Sequence, residues 1–225
     1  KIRLNELMDD LVKEGIHPIL TAIKIIGDPE AGEFTDNVLT TAPDAILSYD
    51  GMGAFRANKL VGWLNVDESK GLNYVKGNVK NTVIVSDMDD GQVGIELTDA
   101  NSEIIPHFTH GDPTIEVKIT GVANIADVNT KLDLMTEHIF SELEDKTNNN
   151  IKEKITQAID KAQNEFESDI FGFGDQIHKT DPKNWEKIKN KWSEIFPKIP
   201  INVTVDIQLK RAGTIKDPFY QEIPS

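Results

Sequence analysis

Hydrophobic and polar positions change period several times along this chain. Leu4, Leu7, Met8, Leu11 and Val12 recur at helical spacing, and Gly15 follows as a stop. An apolar stretch at 19–26 and a loop rich in Gly, Pro and Asp at 27–35 come next. From residue 54 the pattern is mostly strand. Segments 54–56 and 59–64 flank Ala57-Asn58, a two-residue hairpin loop. Segments 82–86 and 92–97 flank residues 87–91, where Gly91 is read as the turn glycine. Segments 101–108 and 114–123 flank a turn at His110, Gly111, Asp112 and Pro113. Ile115, Val117 and Ile119 alternate there with Glu116, Lys118 and Thr120, one face dry and one wet, as in an antiparallel sheet.

The period then switches to helical. Thr136 is a candidate N-cap with Glu137 behind it. Ile139, Phe140, Leu143, Ile151, Ile155 and Ala158 open one apolar stripe, which Ile159, Ala162 and Phe166 continue. Asn148, Asn149 and Asn150 fall off that stripe, so one long helix is expected. Residues 169–174 break it. A second helix starts at Asp181-Pro182, buries Trp185, Ile188, Trp192, Ile195 and Phe196, and stops at Pro197 and Pro200. Ile201, Val203, Val205, Ile207 and Leu209 alternate with polar residues in a last strand, expected to be central. The class is α+β: a mostly antiparallel sheet packed against one long helix and a shorter Trp-rich helix. Residues 1–50 read as the remnant of an N-terminal domain and 51–225 as a second domain, with the boundary at Gly51, Met52 and Gly53.

Composition narrows the function. The 225 residues can bury a proper core. Lys+Arg total 24 against Asp+Glu 38, a net charge of -14, which argues against nucleic acid as a partner. With no cysteine there is no disulfide, thiolate metal site or cysteine nucleophile. No apolar run approaches the ~20 residues of a membrane span. The start at Lys1-Ile2-Arg3, with no leader, reads as a trimmed beginning.

Candidate chemistry is sparse. Asp87, Asp89, Asp90 and Gly91 are similar to a calcium loop, but the glycine falls one position early and the closing glutamate is missing. His107, His110 and Asp112 lack the spacing and the third ligand that a metal site needs. Asp67, Glu68 and Ser69 put an acid beside a hydroxyl, yet neighbours on a helix point apart. Asn65 and Glu68 fit a capping box, and Gly71 would let another backbone approach. Gly172 and Gly174 alternate with Phe171 and Phe173, which reads as a rigid corner, with a ligand loop as the other option. Asn202-Val203-Thr204 is a formal glycosylation sequon lying mid-strand. No catalytic, cofactor-binding or metal residue is therefore assigned, and no cofactor is expected.

Three separated segments carry a resemblance. GAFRANKLVGWLNVDESKGLNYVKGNV (53–79), SDIFGFGDQIHK (168–179) and WSEIFPKIPINVTVDIQLKRAGTI (192–215) resemble, in that order, the C-terminal region of Ger(x)C proteins. These are the C subunits of nutrient germinant receptors in endospore-forming bacteria. The resemblance implies a lipoprotein on the outer face of the spore inner membrane, tethered by a lipidated N-terminal cysteine and working with two membrane-embedded subunits. It implies no catalytic residue. The expectation is a non-catalytic subunit acting in receptor assembly and nutrient-triggered germination. Two rivals stand beside it: a spore-wall hydrolase using Glu68 and Glu103 as an acid/base pair, and a small-nutrient-binding domain.

Overall fold

The alternation at Ile115, Val117 and Ile119 builds one wall of a sheet, for all three are buried. The computed structural model describes residues 4–130 and 136–210. In chain order the elements are α1 (Leu4–Val12), β1 (Ile19–Gly27), α2 (Pro29–Gly32), α3 (Asp36–Leu39), β2 (Ala45–Arg56) and β3 (Lys59–Leu64). There follow α4 (Val66–Val75), β4 (Thr82–Met88), β5 (Gly91–Thr109), β6 (Asp112–Asn129) and α5 (Glu137–Lys161). After a π turn come α6 (Phe173–Thr180), α7 (Pro182–Ile188), α8 (Trp192–Ile195) and β7 (Ile201–Lys210). The architecture is α+β and mostly antiparallel, as the period changes imply.

Two compact units share the chain. One comprises Lys1–Ser69 with Ala158–Lys198, and the other Lys70–Gln157 with Ile199–Ser225. The boundary expected at residue 51 falls inside β2, which runs unbroken through it and pairs with β1 on one side and β3 on the other. Gly51 and Gly53 are not linker glycines. Gly51 has a positive φ of 93° and lies against the Leu64 carbonyl, while Gly53 makes room for the Trp63 ring.

The first unit holds an antiparallel sheet in the order β1-β2-β3. Ala57-Asn58 turns the β2–β3 hairpin, with Ala57 in the left-handed region at φ 52°. The expected Trp-rich helix is broken into α7, a 3-10 turn and α8, and α6 is an element the periodicity did not reveal. Asp181 caps α7, its carboxylate accepting from the Asn184 N–H at 3.1 Å. Rings join these short pieces: Trp185 meets Trp192 edge-on at 5.6 Å, Trp192 lies 6.1 Å from Phe196, and Phe173 stacks on Phe171 at 5.1 Å.

The second unit holds the order β4-β5-β6-β7. The hairpin loops are tighter than expected. Met88 pairs with Gly91, leaving Asp89 and Asp90 as the loop, and Thr109 pairs with Asp112, leaving His110 and Gly111. Gly91 is not a turn glycine: a Cβ there would lie 1.8 Å from the Asn129 carbonyl oxygen, so its role is close approach. Bulges let β5 and β6 pair over nearly their whole lengths instead of as two short hairpins.

The last strand, expected to be central, is an edge strand and runs parallel to β6. A parallel neighbour needs a long crossover, and here the chain from 130 to 200 supplies it. The exposed edge of β7 is covered by helix side chains. Asn148 Oδ1 accepts from the Ile207 N–H at 2.8 Å, and Glu144 Oε2 from the Leu209 N–H at 3.0 Å, both from α5. Leu143, Ile151 and Ile155 of the predicted stripe are fully buried, as are Ala158 and Ala162 beyond them. The hydrophobic face of α1, by contrast, leaves Met8, Leu11 and Val12 exposed. Residues 211–215 of the third resembling segment lie outside the described residues.

Candidate functional site

The stretch from Lys59 to Lys76 is built around the start of α4. Asn65 Oδ1 accepts from the Glu68 N–H at 2.9 Å, and Glu68 Oε2 accepts from the Asn65 N–H at 2.6 Å. That reciprocal pair satisfies two of the helix's orphan donors. Lys161 Nζ then bonds both carboxylate oxygens of Glu68, at 3.0 and 3.1 Å. Both oxygens are engaged before any substrate arrives. Ser69 is fully buried and its hydroxyl faces the Leu64 carbonyl, so it is no accessible nucleophile. Gly71 lies where α4 crosses α5: a Cβ would sit 2.0 Å from the Lys154 carbonyl oxygen. Glu103 is exposed on β5, opposite Lys118 in the register, and belongs to a different compact unit from Glu68.

The remaining sequence candidates are used structurally. Asp87 accepts from Gln92 Nε2 at 2.9 Å and Asp90 accepts from the Thr130 hydroxyl. His107 Nε2 pairs with Glu116 at 3.3 Å, while His110 sits in its turn at φ 55°. Among the described residues no three His, Asp or Glu side chains come together as a metal site. Asn202 is exposed on β7. No helix of the described residues is long and apolar enough to cross a membrane.

The densest polar arrangement lies at the corner before α6. Asp169 is almost fully buried. Its Oδ1 accepts from the N–H groups of Gly172 and Phe173 at 2.9 and 3.2 Å; its Oδ2 accepts from Gly174 N–H at 2.8 Å and Trp192 Nε1 at 3.1 Å. Three of these donors belong to the opening of α6, where the helix dipole also favours an anion. Burial nevertheless pushes the carboxyl up to about 6, against the four hydrogen bonds. Gly172 takes φ 84°, the left-handed value that opens the turn. Gly174 has a different role: a Cβ there would be 2.7 Å from Gly15 Cα and from the Trp192 indole nitrogen. Phe173 is fully buried. The segment is thus a corner closed on the Asp169 carboxylate by four hydrogen bonds. The signal for Asp169 is an acid three residues before Gly172, readable as a cap only once α6 is known to begin there.

His17 and Ser168 stand at nucleophile–base distance, 3.0 Å between Nδ1 and Oγ. Ser168 is fully buried and donates its single hydroxyl proton to the Phe55 carbonyl at 2.6 Å. His17 must therefore donate its Nδ1–H to Ser168. Burial, and then the Arg56 charge, lower the His17 pKa and favour the neutral ring. The pair ties the chain at Phe55 to the corner and presents no attacking oxygen.

Residues 50–213 match the family described as "Spore germination B3/ GerAC like, C-terminal". The chain is 28% identical to "Spore germination protein KC" of Bacillus subtilis (strain 168), over 97% of this chain and 54% of the relative. It is 28% identical to "Spore germination protein YndF" of the same organism, over 89% and 51%. The chain spans about half the length of the curated relatives it matches. A solved structure, "Crystal Structure of the GerBC protein", superposes with a TM-score of 0.74 at 21% identity, covering 93% of this chain and 61% of that one, and shares its fold. With more than half its length inside the matched region, this chain belongs to the GerAC-like family of spore germination proteins.

Proposed function

We propose that this chain is part of the C subunit of a spore nutrient germinant receptor, and that it works by assembly. It offers surfaces to other receptor subunits and carries out no reaction. The observation that supports this reading most is the family match over residues 50–213. The geometry is consistent with it, because the acid nearest to a catalytic arrangement, Glu68, spends both oxygens on a cap and on Lys161. In this reading the whole protein is a lipoprotein, held at the outer face of the spore inner membrane by a lipidated cysteine upstream of the present sequence. Its partners are the two membrane-embedded receptor subunits.

Affinity purification of the full-length protein from spore membranes, in strains with and without the other two subunits, tests the proposal. The expected result is co-purification of both subunits and loss of nutrient-triggered germination when the gene is deleted. Recovery of the protein alone from every strain, or release of product from peptidoglycan by the purified chain, overturns it.

A further inference from the structure

Half of the first unit's sheet carries an apolar surface that nothing in the chain covers among the described residues. β3 pairs only with Met52–Arg56 of β2, so beyond Gly51 the β1–β2 pair continues as a two-stranded ribbon. In its register Ile23 stands opposite Tyr49, and Ile25 opposite Leu47. These four share one face, since each pair lies two positions from the next. All four are exposed, Leu47 by 70%. The ribbon ends in α2 and α3, fixed to it by Asn37, whose amide bonds both the N–H and the carbonyl of Ala45. There Val38 is 80% exposed, and Phe34 and Leu39 are also largely exposed. A cluster of this kind marks an interaction site.

The charge around the cluster selects the occupant. From Ile25 to Phe55 the sequence has no Lys or Arg, while Asp28, Glu30, Glu33, Asp36 and Asp44 supply five carboxylates around the ribbon's end. Lys24, just before, is paired with Asp50 at 2.5 Å. A second copy packing the same face on itself would set these carboxylates against their own duplicates. An anionic lipid surface would be repelled, and carboxylates cannot enter hydrocarbon without a large desolvation cost.

We propose that the ribbon face around Leu47 and Tyr49, with the α2–α3 tip, docks an apolar protein surface rimmed by Lys and Arg. This inference rests on the assembly reading and deepens it by naming the surface and the partner's chemistry: a basic-rimmed, apolar region of another receptor subunit. The apolar centre would supply affinity and the carboxylates orientation and encounter rate.

Photo-crosslinking in the full-length protein within spores tests it. A photoreactive residue is placed at Leu47 or Val38, and at Gln208 on β7 as a control. The expected result is an adduct of another receptor subunit from Leu47 and Val38, mapping to a segment with apolar residues flanked by Lys or Arg. Both Leu47→Ser and the double variant Glu33→Lys with Asp36→Lys are expected to lower recovery of that subunit several-fold at unchanged protein abundance. An adduct with a second copy, with lipid, or within the same chain overturns the inference, as does an adduct from Gln208 alone. If the subunits co-purify but neither position crosslinks to them, the surface is refuted while the assembly reading survives. If they do not co-purify, both fall.

Discussion

The indole Nε1 of Trp192 donates to Oδ2 of Asp169 at 3.1 Å, joining α8 to the corner that opens α6. All four partners of this carboxylate are donors, so an amide cannot replace it. Asp169→Asn would turn an NH2 toward two of the donors it now accepts from. The expected loss at neutral pH is about 2–4 kcal/mol, measured by denaturant unfolding. A variant as stable as the parent would show that the cage contributes nothing.

The pH dependence of the same group has a definite sign. An unfolded Asp releases its proton near 3.8, whereas folded Asp169 holds it to about 6. Between those values the folded state binds the extra proton, so this group's contribution to stability falls as pH rises, by on the order of 3 kcal/mol across the window. His17 acts oppositely. Its lowered pKa means that the unfolded state takes up a proton first, so its contribution is present above about 6.5 and is lost on acidification. Unfolding curves from pH 4 to 7 should show the Asp169→Asn deficit widening as pH falls, and His17→Gln removing an acid-side loss. A deficit that stays constant with pH contradicts the Asp169 assignment.

The corner's glycines should fail for different reasons. Gly172→Ala forces a side chain into φ 84°, at a cost of about 1 kcal/mol. Gly174→Ala should cost more, because its Cβ meets backbone at 2.7 Å, which cannot swing aside. Phe173→Ala empties a fully buried site, expected to cost about 3–5 kcal/mol. Protein abundance and germination should then fall together in spores. Normal abundance with germination lost would identify a ligand loop in place of a structural corner.

Gly71→Ala inverts a propensity rule. Inside an exposed helix the change gains about 1 kcal/mol. Here the new methyl meets the Lys154 carbonyl oxygen at 2.0 Å, and overpacking of that kind costs about 1–3 kcal/mol or more. The measured midpoint should drop. A rise would mean that α4 and α5 do not approach as closely as they do here.

Asn148→Ala offers a similar sign test. Alanine is the better helix former by a few tenths of a kcal/mol, roughly 0.5. Losing the acceptor for the Ile207 N–H should cost about 1–2 kcal/mol and win. Hydrogen exchange at the Ile207 amide should quicken with it, and an unchanged exchange rate would rule out the edge-capping role.

In β6 and α5 the sequence by itself determined which face is dry. Period 2 at Ile115–Val117–Ile119 and period 3.6 from Leu143 to Phe166 are one-dimensional records of burial, and the α+β class follows from them. The capping box at Asn65 and Glu68 was legible because its two partners are three residues apart. Tertiary structure alone decided what depends on distant partners. Asn148 was no more than a polar residue off the helix's apolar stripe until Ile207, 59 positions away, supplied a donor. Glu68 looked like a possible acid until Lys161, 93 positions away, occupied it. The edge position of β7 and its parallel direction depend on where a seventy-residue crossover returns. The exposed ribbon was hidden for the same reason: Ile23, Ile25 and Leu47 have the pattern of a buried strand, and only the folded structure shows them facing water.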